Sequence, residues 1–322
     1  MSTTLVLLPP QGPATADWRA RLEQAVPELV VLRPETPAEA AEALAEADAA
    51  YGTLPADLLA HAGRLRWLQA PQAGPPPSFY HPALVAHPVQ VTNMRDTYTD
   101  HVAAHTLALV LALARELPRY AREQARARWA PDWDPGAVLP LSEATALVVG
   151  VGAVGSEVGR LLAAFGTRVV GTDARRGGPM PGFAEVLPPD ALDRLLPEAD
   201  LVILTIPHTP ATEGLLDARR LALAKRGAYV VNVGRGPIVR LDDLAAALSS
   251  GHLAGAALDV FETEPLPADH PLWRRPDVLI TPHVAGVGPH ASERCFAVLL
   301  ENARRFVAGR ELINVVDKSE WY

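Results

Sequence analysis

The sequence predicts an α/β fold in which parallel sheets are covered by helices. Short apolar segments of strand length alternate with helical segments through most of the chain. A glycine-rich turn joins one such strand to a helix at residues 150–155. Polar side chains directly follow several of the later strands, as at Arg235 and His283. Parallel strands joined by helical crossovers explain the alternation, and the carboxyl edge of their sheet would then carry the polar groups.

The glycine-rich turn belongs to a strand-turn-helix-strand unit. An apolar strand leads into the three glycines, a helical pattern follows, and a second apolar strand ends at Asp173. Gly150 permits a tight turn, Gly152 removes a side chain where a backbone must approach a pyrophosphate, and Gly155 lets the helix pack close to the strand. The unpaired N–H groups at the start of that helix favour an anion. The unit therefore predicts a doubly wound, Rossmann-type domain that binds NAD or NADP.

The acidic residue at the end of the second strand bears on which dinucleotide is bound. A carboxylate at Asp173 would accept hydrogen bonds from the adenosine ribose and would repel a 2′-phosphate. Arg175 and Arg176 follow two and three residues later and would neutralise that phosphate. Because the carboxylate sits at the strand end and the arginines lie in the following loop, we expect NAD, with NADP as the alternative.

Length and composition indicate two domains and argue against several classes of protein. A chain of 322 residues is long for one domain, and its apolar content is sufficient for two buried cores. The net charge is −8, from 29 basic and 37 acidic residues, and there is no basic run, so nucleic-acid binding is not expected. The only cysteine, Cys295, leaves no disulfide within the chain and no thiol metal cluster, which is typical of a reducing compartment.

We expect no targeting segment, no membrane segment and no metal site. The amino terminus has an apolar run of only about four residues without a basic region before it, so it is typical of a first strand. No stretch reaches the roughly 18 apolar residues of a membrane helix. We therefore expect a cytoplasmic protein. His101 and His105 have a metal-compatible spacing but no third ligand in view, so we interpret them as capped or core histidines and expect no metal.

The remaining elements follow from apolar patterning. Strands are expected at 5–8, 29–32, 49–51, 65–68, 89–91, 146–149, 200–205, 229–233, 254–259 and 278–281, with 312–316 strand-like. Helices are expected at 18–26, 37–46, 55–62, 100–120, 190–196, 242–249 and 291–307. The segment 129–140, rich in Pro, Asp and Trp, is expected to be a connecting loop. The 100–120 helix is apolar nearly all round, so it must be covered on more than one side, in a core or in a subunit interface.

Three residues that follow late strands suit the reduction of a 2-keto acid. Arg235 offers a planar fork that can bind carboxylate and carbonyl oxygens together. His283 is a natural acid/base near neutral pH, and Glu264 is a candidate partner because a carboxylate favours imidazolium and fixes its orientation. Each residue alone would more often be structural. Since these strand ends converge on the edge that holds the dinucleotide, their joint placement predicts a nicotinamide-dependent oxidoreductase.

Four motifs resemble those of the D-isomer-specific 2-hydroxyacid dehydrogenases, and the resemblance covers nearly the whole chain. They are VGVGAVG at 149–155, NVGRG at 232–236, LDVFETEPLP at 258–267 and TPHVAG at 281–286. The resemblance implies that Arg235 binds substrate and that Glu264 pairs with His283, the acid/base. It also implies a set of cofactor contacts, with Asp259 near the nicotinamide carboxamide: Gly150, Gly152, Ala153, Val154, Gly155, Asp173, Pro207, Val233, Gly234, Arg235, Asp259 and His283.

The same resemblance implies the domain organisation. A dinucleotide-binding domain at 99–288 would be inserted into a flavodoxin-like substrate domain made of 1–98 and 289–322. The loop with Ala73 and Gly74 would hold the substrate carboxylate through its backbone N–H groups, together with Arg235 and His283. The apolar helix from His101 would form part of a homodimer interface.

The sequence departs from the family pattern at two places. Ala104 stands where relatives usually carry a glutamate before the histidine of that helix, so the interdomain role of that acid is in doubt. Pro75–Pro77 occupies the place where relatives often have an aspartate that caps the next turn. The residues near the pocket do not identify the keto acid. Arg95 is either a second carboxylate ligand or, as we favour from the sequence, an interdomain salt bridge.

We therefore expect a dehydrogenase of a small 2-keto or 2-hydroxy acid resembling glyoxylate, hydroxypyruvate or pyruvate. A different class stays open, because the same scaffold occurs in a nucleotide-sensing transcriptional corepressor, a binding protein that would bind NADH without oxidising it. Among enzymes, formate dehydrogenase is the nearest alternative, and Glu264 counts against it because glutamine stands there in that enzyme. Phosphite oxidation is a further alternative.

Overall fold

The computed structural model describes residues 2–134, 136 and 138–322. The chain forms two compact units. The terminal unit comprises the described residues up to Thr97 together with Gly288–Tyr322, and the central unit is Tyr98–Val287. The sequence places the domain boundaries one residue further along, at 98/99 and 288/289.

The described residues form short strands and helices in alternation. The strands are β1 (Thr3–Leu7), β2 (Leu29–Leu32), β3 (Ala49–Tyr51), β4 (Trp67–Gln69), β5 (Gln90–Thr92), β6 (Thr145–Val149), β7 (Arg168–Thr172), β8 (Glu185–Leu187), β9 (Leu201–Leu204), β10 (Tyr229–Asn232), β11 (Gly255–Leu258) and β12 (Val278–Ile280). The α-helices are α1 (Trp18–Ala25), α2 (Pro37–Leu44), α3 (Ala56–Leu59), α4 (Pro82–Ala86), α5 (Thr99–Ala114), α6 (Leu117–Ala125), α7 (Ala153–Ala164), α8 (Leu192–Leu195), α9 (Ala218–Leu223), α10 (Leu241–Ser249) and α11 (Ala291–Val307).

The terminal unit is built on a five-stranded parallel sheet with the order β2-β1-β3-β4-β5. This is the flavodoxin-like order, so the predicted class of this unit is confirmed. The carboxy-terminal segment returns to the sheet, where the Val316 N–H donates to the Val91 carbonyl at 2.9 Å. The prediction of a strand at 312–316 is wrong, because the segment makes one isolated antiparallel bridge, between Thr92 and Val315.

The central unit is built on a seven-stranded parallel sheet with the order β12-β11-β10-β9-β6-β7-β8. The chain runs outwards from β6 in both directions, which confirms the doubly wound fold. Alternate residues of the central strands enter different cores, with Leu147 and Val202 in one apolar cluster and Val148 and Ile203 in another. Because both faces are covered, the middle residues of these central strands are apolar. All strands are parallel, so the loops after them share one edge.

The predicted helix at 100–120 is in fact two helices. α5 ends at Ala114 and α6 begins at Leu117, with Glu116 between them in a left-handed backbone conformation, φ +57°. Pro118 lies in the first turn of α6. Proline has no N–H to donate and its ring clashes with the preceding turn of a continuous helix, so the helix stops before it and a new one starts.

Most of the apolar surface of α5 is covered within the central unit. Its buried side chains include Ala103, Leu107 and Val110, which belong to the same apolar cluster as Val148 and Val231. Of the two settings that the sequence allows for this helix, core packing therefore accounts for its inner face.

A connecting segment follows α6, as the sequence predicts for 129–140, although residues 135 and 137 of that segment lie outside the described residues. The Leu139 N–H donates to the Ala114 carbonyl at 3.0 Å, which ties the end of the segment to α5. Two large side chains of the segment face solvent, Trp129 at 97% and Trp133 at 87% exposure.

None of the helices in the described residues combines the length and apolar character needed to cross a membrane. The same residues hold no group of three or more His, Cys, Asp or Glu side chains arranged to bind a metal ion.

Candidate active site

The three glycines after β6 have the geometry that a dinucleotide requires. Gly150 has φ +92°, and a Cβ there would lie 2.4 Å from the side chain of Ile206. A Cβ at Gly155 would lie 1.9 Å from the Gly150 carbonyl oxygen. A Cβ at Gly152 would meet nothing within 4 Å among the described atoms. The turn therefore combines close packing on one side with open space on the other, and a pyrophosphate fits such a space.

Helix α7 begins within this glycine turn. Gly152 is the N-cap of the helix, and Ala153 and Val154 are its first two residues. Among the described residues no side chain caps this end. The first N–H groups of a helix lack partners within it, so they and the helix dipole suit an anion at this end.

Asp173 follows β7 and lies beside the glycine turn. Its Oδ2 accepts the Val151 N–H at 2.8 Å, and its Oδ1 accepts the N–H groups of Arg175 and Arg176 at 2.8 and 2.9 Å. Arg176 also donates from Nη1 to the Ser156 hydroxyl at 3.1 Å, near the start of α7. The acidic and the basic group that bear on the choice of dinucleotide thus both contact the glycine-rich unit.

The loops after β9 and β10 continue the same edge. The Thr212 hydroxyl donates to the Pro207 carbonyl at 2.8 Å and accepts the Thr209 N–H at 2.8 Å, so two threonines hold the loop after β9. Val233 follows β10 directly, and its N–H donates to the Leu204 carbonyl at 3.2 Å. Pro207 and Val233 therefore lie at the carboxyl ends of neighbouring strands.

Arg235 is held by the turn that follows β10. Asn232, which is fully buried, donates from Nδ2 to the Arg235 carbonyl at 3.0 Å and accepts the Gly234 N–H at its Oδ1 at 3.1 Å. The guanidinium of Arg235 is half-buried and donates from Nη1 to the Gly234 carbonyl at 2.6 Å. A buried asparagine thus fixes the backbone that presents this cation.

Glu264 and His283 form the pair that the sequence predicts. His283 Nδ1 lies 2.7 Å from Glu264 Oε2, and Glu264 Oε1 accepts the Phe261 N–H at 2.9 Å. A carboxylate only accepts hydrogen bonds, so the proton of this contact is on Nδ1. Nε2 is therefore the ring atom left to exchange a proton with a substrate, and 47% of the His283 side chain is exposed.

Asp259 organises the loop that carries His283. Its side chain is 1% exposed and accepts the N–H groups of Val284 and Ala285 at 2.9 Å each. It also accepts the Thr281 hydroxyl at 2.6 Å, and the backbone carbonyl of Asp259 accepts the His283 N–H at 2.8 Å. The contact with a nicotinamide carboxamide that the resemblance implies stays a prediction.

His105 reaches this cluster, which the sequence does not indicate. Its Nε2 lies 3.0 Å from the Thr281 hydroxyl and 3.7 Å from Asp259 Oδ1. His101, one turn earlier on α5, lies 3.9 Å from the carboxylate of its neighbour Asp100 instead. The only sequence signal for His105 is its place on an apolar helix, which equally fits a core histidine.

The loop with Ala73 and Gly74 follows β4 in the terminal unit. The Asn93 side chain donates to the Ala73 carbonyl at 2.9 Å, and the Met94 N–H donates to the Gln72 carbonyl at 3.0 Å. Asn93 is only 3% exposed. The loop is therefore tied to the segment after β5, and its role in holding a substrate carboxylate stays a prediction.

A family model matches more than half of this chain. It is described as D-isomer specific 2-hydroxyacid dehydrogenase, NAD binding domain, and it matches residues 107–285, all within the central unit. The chain belongs to this dehydrogenase family. The resemblance that the four sequence motifs indicate is thereby confirmed.

Relatives of this dehydrogenase extend over its whole length. It is 32% identical over 310 residues to the glyoxylate/hydroxypyruvate reductase A of Serratia proteamaculans, covering 94% of each chain. A D-isomer specific 2-hydroxyacid dehydrogenase from Xanthobacter autotrophicus Py2, solved in complex with NADPH and MES, matches all of both chains with 32% identity and a TM-score of 0.85. The NADPH-dependent glyoxylate/hydroxypyruvate reductase of Sinorhizobium meliloti, solved with NADP and sulfate, also matches all of both chains, with 28% identity and a TM-score of 0.84.

This dehydrogenase is an NAD(P)-dependent oxidoreductase that transfers a hydride between a nicotinamide cofactor and a small 2-keto or 2-hydroxy acid. The predicted fold class, enzyme class and class of cofactor are thus confirmed.

Proposed function

We propose that the enzyme reduces short 2-keto acids, with glyoxylate and hydroxypyruvate as the preferred substrates, and that Arg235, Glu264 and His283 carry the reaction. The observation behind the proposal is the 2.7 Å contact of His283 with Glu264 on the sheet edge that also carries the glycine turn. The names of the relatives from Serratia proteamaculans and Sinorhizobium meliloti support this substrate class. In this proposal the central unit binds the dinucleotide, and the loop with Ala73 and Gly74 in the terminal unit binds the substrate carboxylate.

The chemistry divides between the cofactor and the side chains. A bound dihydronicotinamide supplies the hydride for C2 of the keto acid. The Arg235 guanidinium binds the substrate carboxylate and polarises the keto oxygen, since its planar fork meets two oxygens at once. His283 gives the proton on Nε2 to that oxygen, so a C–H and an O–H bond form while the cofactor is oxidised. Glu264 holds the ring through Nδ1–H and stabilises the imidazolium before transfer.

The choice of dinucleotide follows from Asp173 in this proposal. Its carboxylate would accept ribose hydroxyls and repel a 2′-phosphate, so NADH is the preferred donor. The solved relatives from Xanthobacter autotrophicus Py2 and Sinorhizobium meliloti hold NADPH and NADP. Arg176, which contacts the start of α7, is the residue that would let this chain accept NADPH as well.

We also propose that two copies associate through α6 and the segment after it, next to α5. The support is four exposed apolar side chains in this part of the chain, Leu117 at 52%, Tyr120 at 37%, Trp129 at 97% and Trp133 at 87% exposure. Large aromatic side chains are enriched in association sites. A cytoplasmic location, and the absence of nucleic-acid and membrane partners, stay predictions from the composition.

Turnover on a panel of keto acids tests the proposed function. We expect NADH oxidation with glyoxylate and hydroxypyruvate to exceed that with pyruvate and branched keto acids. Replacing His283→Ala should lower kcat by about a hundredfold to ten-thousandfold in both directions, the usual contribution of general acid/base catalysis. NADH affinity should stay near native, because His283 acts on the substrate. The control is His61→Ala in the terminal unit, an exposed histidine that should leave turnover unchanged.

Three results would contradict the proposal. Full turnover by the His283→Ala variant would remove the acid/base role. NADH binding without oxidation of any keto acid would instead favour the nucleotide-sensing corepressor, and turnover of formate or phosphite alone would favour those dehydrogenases.

A further inference from the structure

We infer that Thr281 and His105 are positioning residues for His283 and act through the buried carboxylate of Asp259. The inference rests on the proposed role of His283 as the acid/base. Three observations carry it: the backbone conformation of His283, the donors that converge on Asp259, and the place of Thr281 between Asp259 and His105.

His283 has a backbone conformation that its neighbours must hold. Its φ is +55°, in the left-handed region that residues with a Cβ rarely adopt. Such a conformation persists only where surrounding contacts fix it. The His283 N–H donates to the carbonyls of Asp259 and Thr281 at 2.8 and 3.1 Å, so both residues restrain the turn.

The carboxylate of Asp259 is the centre around which this turn is folded. Its two oxygens accept the N–H groups of Val284 and Ala285, which immediately follow His283, and the hydroxyl of Thr281, which precedes it by two residues. With three donors the buried charge is well satisfied, and the residues on both sides of His283 are held by one side chain. A shift of this carboxylate would therefore move the imidazole.

The hydroxyl of Thr281 orders the donors around this carboxylate. A hydroxyl has one proton, and at 2.6 Å from Asp259 Oδ1 that proton goes to the carboxylate, which can only accept. The contact of 3.0 Å with His105 must then run the other way, with His105 Nε2–H donating to the Thr281 oxygen. His105 thus donates to Thr281, and Thr281 donates to Asp259.

These two hydrogen bonds connect helix α5 to the loop after β12. His105 lies on α5, which packs in the core of the central unit through Ala103 and Leu107 on either side of it in sequence. A histidine fixed on a packed helix gives Thr281 a rigid reference point. The two hydrogen bonds therefore set the direction of the His283 ring, while the contact with Glu264 places a proton on Nδ1.

A pair of threonine substitutions separates positioning from folding. Thr281→Val keeps the shape and removes the hydroxyl, and Thr281→Ser keeps the hydroxyl. We expect Thr281→Val to lower kcat about tenfold to a hundredfold, as small displacements of a catalytic group do, with the KM of glyoxylate within about threefold of native. Thr281→Ser should recover kcat to within about threefold of native. NADH affinity should stay near native in both.

A second pair of variants tests the role of His105. His105→Leu removes the donor and should lower kcat in the same direction as Thr281→Val, whereas His105→Gln offers an N–H at a similar reach and should recover part of it. The matched control is Thr106→Val, which makes the same substitution as Thr281→Val but at the residue after His105. The Thr106 hydroxyl donates to the Val102 carbonyl of its own helix at 2.7 Å. This control should keep native kcat.

Each outcome decides the matter. A native kcat in Thr281→Val, an equal loss in Thr281→Ser, or the same loss in Thr106→Val would overturn the positioning role. Measuring His283→Ala beside these variants keeps the two proposals apart. Retained turnover in His283→Ala would overturn both, whereas its loss together with a native Thr281→Val would overturn this inference alone.

Discussion

His283 Nδ1 lies 2.7 Å from Oε2 of Glu264, and the other oxygen of that carboxylate accepts the backbone N–H of Phe261. Because one oxygen is bound to the backbone, the carboxylate cannot rotate away from the ring without losing that hydrogen bond. The segment after β11 thereby fixes a negative charge beside the imidazole of the segment after β12. A charge at this distance stabilises imidazolium over neutral imidazole.

The first prediction concerns this charge. Glu264→Gln keeps a hydrogen-bonding group but removes the charge that stabilises imidazolium beside the substrate. Reduction uses imidazolium as the proton donor, so reductive kcat/KM should fall about tenfold or more. Oxidation forms the same imidazolium, so oxidative kcat/KM should fall alike. The measurement is kcat/KM in both directions.

A matched control lies two residues away. Glu262 accepts the Leu241 N–H at 2.8 Å and lies 3.4 Å from a guanidinium nitrogen of Arg240, so Glu262→Gln removes a charge on the same segment without touching His283. Its kcat/KM should match that of the native enzyme in both directions. A native kcat/KM in Glu264→Gln would show that Glu264 is not the charge partner.

The second prediction concerns the dinucleotide. We expect kcat/KM with NADH to exceed that with NADPH by about tenfold or more, because a like charge at the ribose is a discriminating element. Asp173→Ser should narrow this ratio, and Arg176→Gln should widen it by weakening the use of NADPH. The comparison is made at one keto-acid concentration with both dinucleotides. Equal or better use of NADPH by the native enzyme would contradict the prediction.

Much of the fold could be predicted from sequence because its signals are local. Both sheets consist of apolar strands bounded by turns, and the glycine turn marks where the second sheet begins. β8 was missed because its three residues begin with the charged Glu185 and bury only Val186, so no apolar run marks it. The break between α5 and α6 was missed because apolar residues continue past Ala114, although Pro118 carries the local signal for it.

The active site, too, could be predicted only in part. Glu264 and His283 could be paired in advance because both follow strands of one parallel sheet and each stands in a distinctive motif. The contact between His105 and Thr281 joins residues 176 positions apart, and nothing near either residue in sequence points to the other. Such a contact is set by how α5 packs on the sheet, which sequence periodicity does not encode.

The third prediction concerns assembly. If the exposed tryptophans lie in a subunit interface, Trp129→Ala and Trp133→Ala should weaken a dimer, because large aromatic side chains dominate interface energetics. Sedimentation of the native enzyme at micromolar concentration should give twice the chain mass of 34.4 kDa, and the variants should shift toward monomer. Phe165→Ala, at another exposed apolar side chain of the central unit, should not. A native monomer would contradict the prediction.

The fourth prediction concerns Arg95 and the choice of keto acid. Its N–H donates to Asn93 Oδ1 at 3.1 Å and its carbonyl accepts the Asn314 side-chain amide at 2.9 Å, so its backbone is fixed beside the residue that holds Ala73. Its side chain is half-buried, and within the described part of the terminal unit no carboxylate pairs with its guanidinium. A half-buried arginine with no carboxylate partner in its own unit suits an anionic ligand, so we propose a second substrate carboxylate as its role.

Arg95→Gln should therefore act selectively on substrates. We expect kcat/KM for a keto acid with a second carboxylate, oxaloacetate, to fall about tenfold or more, and that for glyoxylate to stay within about threefold, because only the former would contact this cation. Arg310→Gln, an exposed arginine of the same unit, should change neither value. Two results would show that Arg95 is a structural cation and not a ligand for the substrate. One is a native enzyme that does not reduce oxaloacetate. The other is an Arg95→Gln variant in which kcat/KM for both substrates and Tm all fall.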